Sequence, residues 1–219
     1  MKYPLFFITP LLSFFSFGQD TINYDVLNRR MPLNLNEQIT YLRNVTPYTG
    51  TTFKTDPGGN ILAYNNFLDG RMHGEQTKYY PTGELKEKVQ YTFGKADGYS
   101  TLYYKSGQKM SEMKFDDGTV IDTAKTWHSE GKLKSLSVEN REDPAKGYYC
   151  SFYKSGNKEM EIINGFQTIY YESGEKKAEV QLVMGRPAGE FKKYKKNGKI
   201  EIIELWENGK LVDSYKKKK

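Results

Sequence analysis

The chain has 219 residues, of which 15% are aromatic and 37% hydrophobic, with 20 glycines and a formal net charge of +6. Frequent Tyr and Gly among Lys and Glu favour short strands joined by tight turns, with one face of the sheet in water. Lys2 and a C-terminal run of four lysines account for five of the six net positive charges. The rest of the chain is nearly neutral, which argues against nucleic acid as a partner because phosphate binding needs clustered cations.

Residues 1–18 have the pattern of a secretory signal peptide. Lys2 is followed by an apolar stretch at residues 5–17, and Ser16-Phe17-Gly18 places small residues before Gln19. The stretch is too short and too interrupted for a spanning helix, and a buried N-terminal strand is the alternative. The pattern predicts an exported, periplasmic or secreted chain that begins at Gln19.

Seven glycines mark an internal repeat with spacings of 24, 24, 24, 25, 18 and 24 residues. They are Gly59, Gly83, Gly107, Gly131, Gly156, Gly174 and Gly198. Each lies in a polar turn, the first turn of its repeat, where glycine supplies the positive φ that hairpins demand. A second turn alternates with it and reads Gly-x-x-x-Gly or Gly-x-x-x-Asp, as from Gly94 to Gly98. Asn164-Gly165 takes its place in the 18-residue repeat, which is therefore interpreted as shortened.

Between the turns, apolar and polar residues alternate with a period of two. After Gly83, for example, Leu85 and Val89 alternate with Lys86 and Lys88. This pattern predicts strands with one buried face. The predicted fold is all-β, an elongated antiparallel β-meander of stacked hairpins.

The repeat divides the chain into four predicted parts. Residues 1–18 are the signal peptide, and residues 19–46 are an N-terminal linker or cap with one short strand at residues 39–42. Residues 47–215 are the hairpin array, and residues 216–219 are a basic tail. A cap is expected because an uncovered terminal strand invites aggregation.

Two aromatic columns accompany the array. The first column stands four residues before the glycine, at Tyr79, Tyr103, Trp127, Phe152, Tyr170 and Tyr194. The second column stands one residue later, at Tyr80, Tyr104, His128, Tyr153 and Tyr171. Because adjacent strand residues point to opposite faces, one column is expected inside and the other outside or in a groove.

The repeat unit, seen for example at residues 74–86, resembles the MORN repeat in a bacterial variant often labelled antitoxin-like. Pro47-Tyr48-Thr49-Gly50 is similar to the segment that opens such arrays. The resemblance covers residues 47–215. It implies an elongated antiparallel sheet with roles in scaffolding, protein binding, dimerisation and, for some members, lipid contact. An antitoxin role fits poorly with an exported chain.

The residues that carry catalysis are sparse. His73 lies in a turn, and His128 takes a place otherwise held by Tyr, so both are interpreted as structural residues. Cys150 has no second cysteine with which to pair and occupies a strand position, where a small packing residue is expected. No phosphate-binding loop precedes a helix. We therefore predict a non-enzymatic protein without a cofactor or metal.

The second aromatic column is the candidate binding surface, since rigid Tyr side chains offer contact area at low entropic cost. Cross-strand packing is the alternative reading of the same residues. The tail of Lys216, Lys217, Lys218 and Lys219 is expected to be solvated, or to attract an anionic membrane. The predicted function is an exported scaffold that binds a protein or peptide. The alternative is a peripheral binder of anionic lipid or an envelope glycan.

Overall fold

The computed structural model describes residues 21–30, 40–140 and 147–216. The predicted signal peptide and Lys217, Lys218 and Lys219 lie outside these ranges. The N-terminal part contains β1 (Thr21–Asn23), a 3₁₀ turn (Tyr24–Val26), β2 (Asn28–Arg30), β3 (Thr40–Arg43) and β4 (Thr46–Pro47). The described residues contain no helix that is long and apolar enough to cross a membrane.

The array is a succession of strands joined by short turns. Its strands are β5 (Gly50–Thr55), β6 (Ile61–Leu68), β7 (Arg71–Met72), β8 (Gly74–Tyr79), β9 (Leu85–Thr92), β10 (Lys95–Tyr103), β11 (Lys109–Asp116), β12 (Thr119–Trp127), β13 (Leu133–Val138), β14 (Tyr148–Phe152), β15 (Lys158–Ile163), β16 (Phe166–Tyr170), β17 (Lys176–Val183), β18 (Arg186–Tyr194), β19 (Ile200–Glu207) and β20 (Lys210–Lys216).

Each strand of the array pairs antiparallel with its neighbours in sequence, from β8 with β9 through β19 with β20. The described strands β1 and β5–β20 form one 17-stranded sheet, in which β1 pairs parallel with β5. The prediction of an all-β meander of hairpins is confirmed. Since the pairing is local, every repeat is held mainly by the repeats beside it.

The first turns are tight loops followed by a β-bulge. At Gly107, the N–H donates to the Tyr104 carbonyl at 2.9 Å, and the Tyr104 N–H donates to the Gln108 carbonyl at 2.8 Å. Gly107 has φ +83°, and a Cβ on it would meet nothing within 4 Å. Glycine is therefore required by backbone conformation and not by crowding. The bulge appears as a shift in register beside the turn: Leu102 pairs with Ser111, whereas Tyr103 pairs with Lys109.

The second turns differ from the predicted five-residue form. The turn consists of only two residues, the glycine and the residue before it, and both have positive φ. This is the type I′ hairpin turn, whose twist matches that of the strands. The residues before the glycine are Asp69, Phe93, Asp117, Asn164, Met184 and Asn208. The later glycine of the motif, such as Gly98, lies instead where the register of the returning strand shifts.

The N-terminal strands cover the first hairpin. β2, β3 and β4 form a separate three-stranded sheet, and β3 corresponds to the strand expected at residues 39–42. Phe67 is only 2% exposed, with its ring centroid 5.0 Å from that of Tyr41 and 6.0 Å from that of Tyr48. The Tyr41 N–H also donates to the Gly70 carbonyl at 2.7 Å. The N-terminal strands thus form an aromatic cap over one hairpin tip.

At the C-terminus, the last strand of the array ends at the residue where the predicted basic tail begins. Lys216, expected as the first residue of a solvated tail, is the last residue of β20 and pairs with Ile202 of β19. The buried face of the sheet is the predicted one, because Val89, Ala178 and Val180 are among its buried residues.

Candidate functional site

The second aromatic column joins successive repeats through hydrogen bonds. The Tyr80 hydroxyl donates to the Tyr103 carbonyl at 2.8 Å, one repeat further along the chain. Tyr104, Tyr153 and Tyr171 donate in the same way to the carbonyls of Trp127, Tyr170 and Tyr194, each at 2.8 Å. The His128 Nε2 lies 3.1 Å from the Phe152 carbonyl oxygen and takes the place of a hydroxyl.

These hydrogen bonds give the side chains of the second aromatic column a structural role that needs no binding partner. All five side chains are half-buried, and lysines from the same and the next repeat flank some of the rings. Lys86 and Lys105 each place their Nζ 5.6 Å from the centre of the Tyr80 ring. The hydroxyls are committed to the backbone, so the exposed ring surface is what the column can offer. Whether a partner contacts that surface stays a prediction.

The first aromatic column is also half-buried, so the expectation of one inside and one outside column is wrong. Three of its rings, those of Trp127, Tyr170 and Tyr194, lie beside lysine–glutamate pairs of the preceding repeat. Lys176 lies 2.6 Å from Glu179, its Nζ is 5.7 Å from the Tyr194 ring centre, and the Tyr194 hydroxyl donates to Glu179. Lys158, Glu161 and Tyr170 repeat this arrangement.

In each triad the pKa of the tyrosine is raised and that of the glutamate is lowered. Burial, then the hydrogen bond to the neighbouring glutamate, raises the pKa of Tyr170 and of Tyr194 to about 12. Burial acts to raise the pKa of Glu179, but the hydrogen bonds from Lys176 and Tyr194 outweigh it and lower that pKa. The cause is that each glutamate accepts charge-stabilising hydrogen bonds and each tyrosine loses solvent. The triads therefore act as structural links.

The remaining candidates do not assemble into a catalytic or metal site. Cys150 is fully buried, and its Sγ lies 3.8 Å from the Ser151 carbonyl oxygen. The His73 ring packs 5.1 Å from the Phe93 ring. Within the described ranges, no three His, Cys, Asp or Glu side chains come close enough together to hold a metal ion.

The shortened repeat forms a hairpin with shorter strands than the next one. Gly156 and Gly174 are 18 residues apart instead of 24, so the hairpin of β15 and β16 has strands of only 6 and 5 residues. The next hairpin, β17 and β18, has strands of 8 and 9 residues. At roughly 3.3 Å per residue, the shorter hairpin ends about 10 Å before its neighbour.

This difference in length leaves a notch in the edge formed by the second turns. The notch has a volume of about 750 Å³. Its lining is largely apolar or uncharged, and Glu139 is the one charged residue among the described residues that line it. The lining residues are Ser137, Val138, Glu139, Asn140, Gly147, Tyr148, Tyr149, Ile162, Gly165, Leu182, Met184 and Gly185.

Two lining residues of the notch, Val138 and Tyr148, also belong to a row of apolar side chains that crosses the sheet. Val138 pairs with Tyr148, Tyr148 with Ile163, and Ile163 with Phe166. Because paired residues share a face, these four form one row across β13–β16. Three of them are exposed, and Phe166 is 54% accessible. Contiguous exposed apolar surface of this kind marks interaction sites on soluble proteins.

Met184 stands at the tip of the longer hairpin and is 99% exposed. It has φ +51°, a left-handed conformation that costs an ordinary residue about 1–2 kcal/mol and suits Gly, Asn or Asp. Its side chain lines the notch and also a second depression beside Trp206 and Asn208. Phe93 has the same backbone conformation at another tip, with φ +46°, but its ring packs on His73.

Sequence reasoning did not single out the notch, although its cause was visible. The 18-residue spacing and Asn164-Gly165 identified the short hairpin. That the β17–β18 hairpin extends beyond the short one, and that Val138 and Phe166 are exposed, could be learned only from the strand register. An apolar residue before a second-turn glycine, as in Met184-Gly185, was the one local signal for this site.

Comparison with known proteins supports the repeat assignment. The MORN repeat variant matches residues 72–92, which include β8 and β9. No curated protein matches the chain. Among solved structures, the crystal structure of TcdB2-TccC3-TEV is 11% identical over 80% of this chain and 12% of that chain, with a TM-score of 0.21. The chain thus spans a small part of that protein's length, and so low a score carries no argument about function.

Proposed function

We propose that this chain, a MORN-repeat protein, is a non-enzymatic scaffold that binds another polypeptide at the notch of its second-turn edge. MORN repeats are often involved in binding, which is compatible with this role. The observation that carries the proposal is the largely apolar lining of the notch, which includes Val138, Tyr148, Ile162 and Leu182.

The character of the notch favours a polypeptide over an anionic lipid. No Lys or Arg is among the described residues that line it, and Glu139 would repel a phosphate headgroup. Apolar walls with a few polar groups suit a neutral backbone with apolar side chains. The uneven tips of β15–β16 and β17–β18 also offer a shape that a flat membrane surface does not match.

Export is part of the proposal. It is supported by the residue pattern of Lys2, residues 5–17 and Ser16-Phe17-Gly18. N-terminal sequencing of the protein from an envelope or secreted fraction is expected to begin at Gln19. Retention of Met1 in that fraction would contradict export by this route.

The binding proposal is tested by site-specific photo-crosslinking in cells that produce the full chain. A photoreactive phenylalanine analogue at Tyr148, which lines the notch, is expected to give a discrete protein adduct. The matched control places the analogue at Tyr64, an aromatic residue of β6 with 37% exposure. Adducts at both positions, or at neither, would count against binding at the notch.

The lipid alternative has its own measurement. Sedimentation with phosphatidylglycerol vesicles is expected to show weak binding by the purified chain. Binding that is strong, weakens steeply with salt and is lost when Lys216, Lys217, Lys218 and Lys219 are changed to Ala would favour the lipid reading. A glycan partner is scored by the same crosslinking experiment, since its adduct would resist protease.

A further inference from the structure

We infer that the hairpin tip between β19 and β20, the last tip of the second-turn edge, is a further docking site. It accepts an aromatic side chain carried on an extended segment of a partner polypeptide. The chain's own cap occupies the equivalent site at the first tip, between β6 and β7, and shows how such a segment binds. The inference goes beyond the proposed function, because it concerns a different pair of strands from those of the shortened repeat.

The first tip, Asp69-Gly70, is where the cap docks. Phe67 pairs with Gly50, so the strand beside the ring contributes no side chain at that position. Tyr41 of β3 packs on Phe67 at 5.0 Å between ring centroids, and its N–H donates to the Gly70 carbonyl at 2.7 Å. Phe67 is only 2% exposed as a result. The cap therefore docks through an aromatic ring and a backbone hydrogen bond.

The last tip, Asn208-Gly209, has the same framework. Trp206 pairs with Gly189, again an aromatic residue beside a glycine. The Gly209 N–H donates to the Pro187 carbonyl at 3.2 Å, a bond that the first tip also makes to the strand before it. The positions that hold the cap at the first tip therefore have counterparts at the last tip.

A depression of about 630 Å³ lies at the last tip, where the first tip has its cap. Trp206, Pro187 and Gly189 are among the residues that line it, and the exposed Met184 borders it. Trp206 is half-buried, whereas its counterpart Phe67 is fully buried. The difference between the two rings is the contact that the cap supplies.

The depression is distant from the segments that border the described residues in this part of the sheet. Lys216, at the end of β20, pairs with Ile202, whereas Trp206 pairs with Leu211 near the tip. Residues 141–146 join β13 to β14, and four strands separate β14 from β19. That separation is about 24 Å at the usual spacing of strands. The site is therefore centred away from both segments.

The side chains of the depression suit a neutral aromatic group. The Trp206 Nε1 donates to Glu204 Oε2 at 3.1 Å, which holds the ring in place. A fixed indole offers a large contact area at low entropic cost and is a frequent anchor at interfaces. Arg186 and Glu207 line the depression with one charge of each sign. Neither an anion nor a cation is therefore favoured over a neutral ring.

The backbone of the last tip indicates that the ring belongs to a polypeptide. Among the described residues, no N–H of a turn or loop donates to the Gly209 carbonyl. The equivalent carbonyl, that of Gly70, accepts the Tyr41 N–H of the cap. An extended segment presents N–H groups along its edge beside its side chains. It can supply the ring and the donor together, as β3 does at the first tip.

The first test follows the fluorescence of the full chain with Trp127→Phe, which leaves Trp206 as its single tryptophan. Phe152 holds the equivalent position in another repeat, so this change keeps an aromatic ring there. The probe is a synthetic peptide with the sequence of residues 38–46, which contains Tyr41. Emission is expected to shift to shorter wavelength and to saturate, because Trp206 loses contact with water. The same peptide with Tyr41→Ser is expected to leave the emission unchanged.

The second test selects random peptides displayed on phage against the full chain, with counter-selection against Trp206→Leu. Selected peptides are expected to share an aromatic residue and to bind Trp206→Leu roughly tenfold more weakly. Val183→Arg, at an exposed position on the rim, is expected to weaken them several-fold without loss of the fold. Tyr148→Leu, which alters the notch, should leave their affinity unchanged.

The outcomes separate this inference from the proposed function. Peptides that depend on Tyr148 and not on Trp206 would support binding at the notch and overturn docking at the last tip. No emission shift with the cap peptide, together with no Trp206-dependent peptide from the library, would also overturn it. Sedimentation velocity of the chain alone is expected to show a monomer. Self-association that is lost in Trp206→Leu would show that a second copy fills the site, and the assignment to a partner polypeptide would be wrong.

Discussion

The first hairpin and the hairpin next to the notch have tips with the same type I′ conformation but opposite surroundings. At Gly70, a Cβ would meet Thr40 Cγ2 at 2.5 Å and the Tyr41 carbonyl at 2.7 Å, so the cap lies directly on the tip. At Gly185, a Cβ would meet nothing within 4 Å, and Met184 beside it is 99% exposed. The Gly70 tip is covered by the cap, and the Gly185 tip faces solvent. The repeat therefore determines the backbone conformation of a tip but not whether other residues pack on it.

Removal of the central ring of the cap should have the largest effect. Phe67→Ala deletes a buried ring that contacts Tyr24, Tyr41 and Tyr48, and is expected to lower the free energy of unfolding by about 3–5 kcal/mol. The matched variant at the open end, Phe166→Ala, should change it by less than about 1 kcal/mol. Urea denaturation measures both. Equal losses would mean that the cap does not hold the array.

Alkaline pH should weaken the end of the array that contains the notch. The pKa of Tyr170 and of Tyr194 is about 12 in the folded protein and roughly 10 in an unfolded chain. Unfolded chains release these protons first, so the contribution of these two tyrosines to stability is constant below pH 10 and is lost as pH rises towards 12. The loss is on the order of 1–2 kcal/mol per tyrosine once solvent screening is included.

The variant Tyr170→Phe/Tyr194→Phe measures this contribution. Its free energy of unfolding should depend less on pH above 10 than that of the parent protein. Tyr64→Phe controls for loss of a hydroxyl elsewhere. A parent and double variant with the same alkaline slope would show that the Tyr–Glu hydrogen bonds do not contribute to stability.

Loss of one inter-repeat hydroxyl should cost less, and should cost the same at both ends. Tyr80→Phe near the cap and Tyr171→Phe near the notch each remove one hydrogen bond to a backbone carbonyl. Each is expected to lower the free energy of unfolding by about 0.5–1.5 kcal/mol. Thermal unfolding of the pair would show whether the contrast between the two ends is confined to the second-turn edge. Markedly unequal losses of unfolding free energy would show that the two ends also differ at the first turns.

The smallest effect has the opposite sign. Met184→Asn places a residue suited to left-handed backbone at the open tip, and should raise the free energy of unfolding by about 0.5–1 kcal/mol. No packing is lost because the side chain is exposed. Chemical denaturation tests this, and a destabilised variant would show that Met184 packs in solution. A gain in stability with a loss of peptide binding would identify Met184 as a residue kept for function.

Local sequence signals predicted most of the sheet and little of the candidate site. Glycine spacing and alternation identified the hairpins, because turn conformation and the two-residue period are local properties. Tyr80 and its equivalents were identified as a column, but their acceptors are carbonyls of the next repeat. The partners of Phe67 come from three different segments. Contacts that depend on the register between separate strands cannot be predicted from the sequence of one segment. The notch depends on such register.

Neighbour-only pairing has a consequence for how such proteins diversify. A hairpin that loses equal numbers of residues from its two strands keeps its register with the strands beside it, as β15 and β16 show. The distance to which a hairpin extends along the second-turn edge can therefore change in one repeat without changing the repeats beside it. Recognition can evolve through the lengths of hairpins while the turn glycines and the tyrosine hydrogen bonds remain the same.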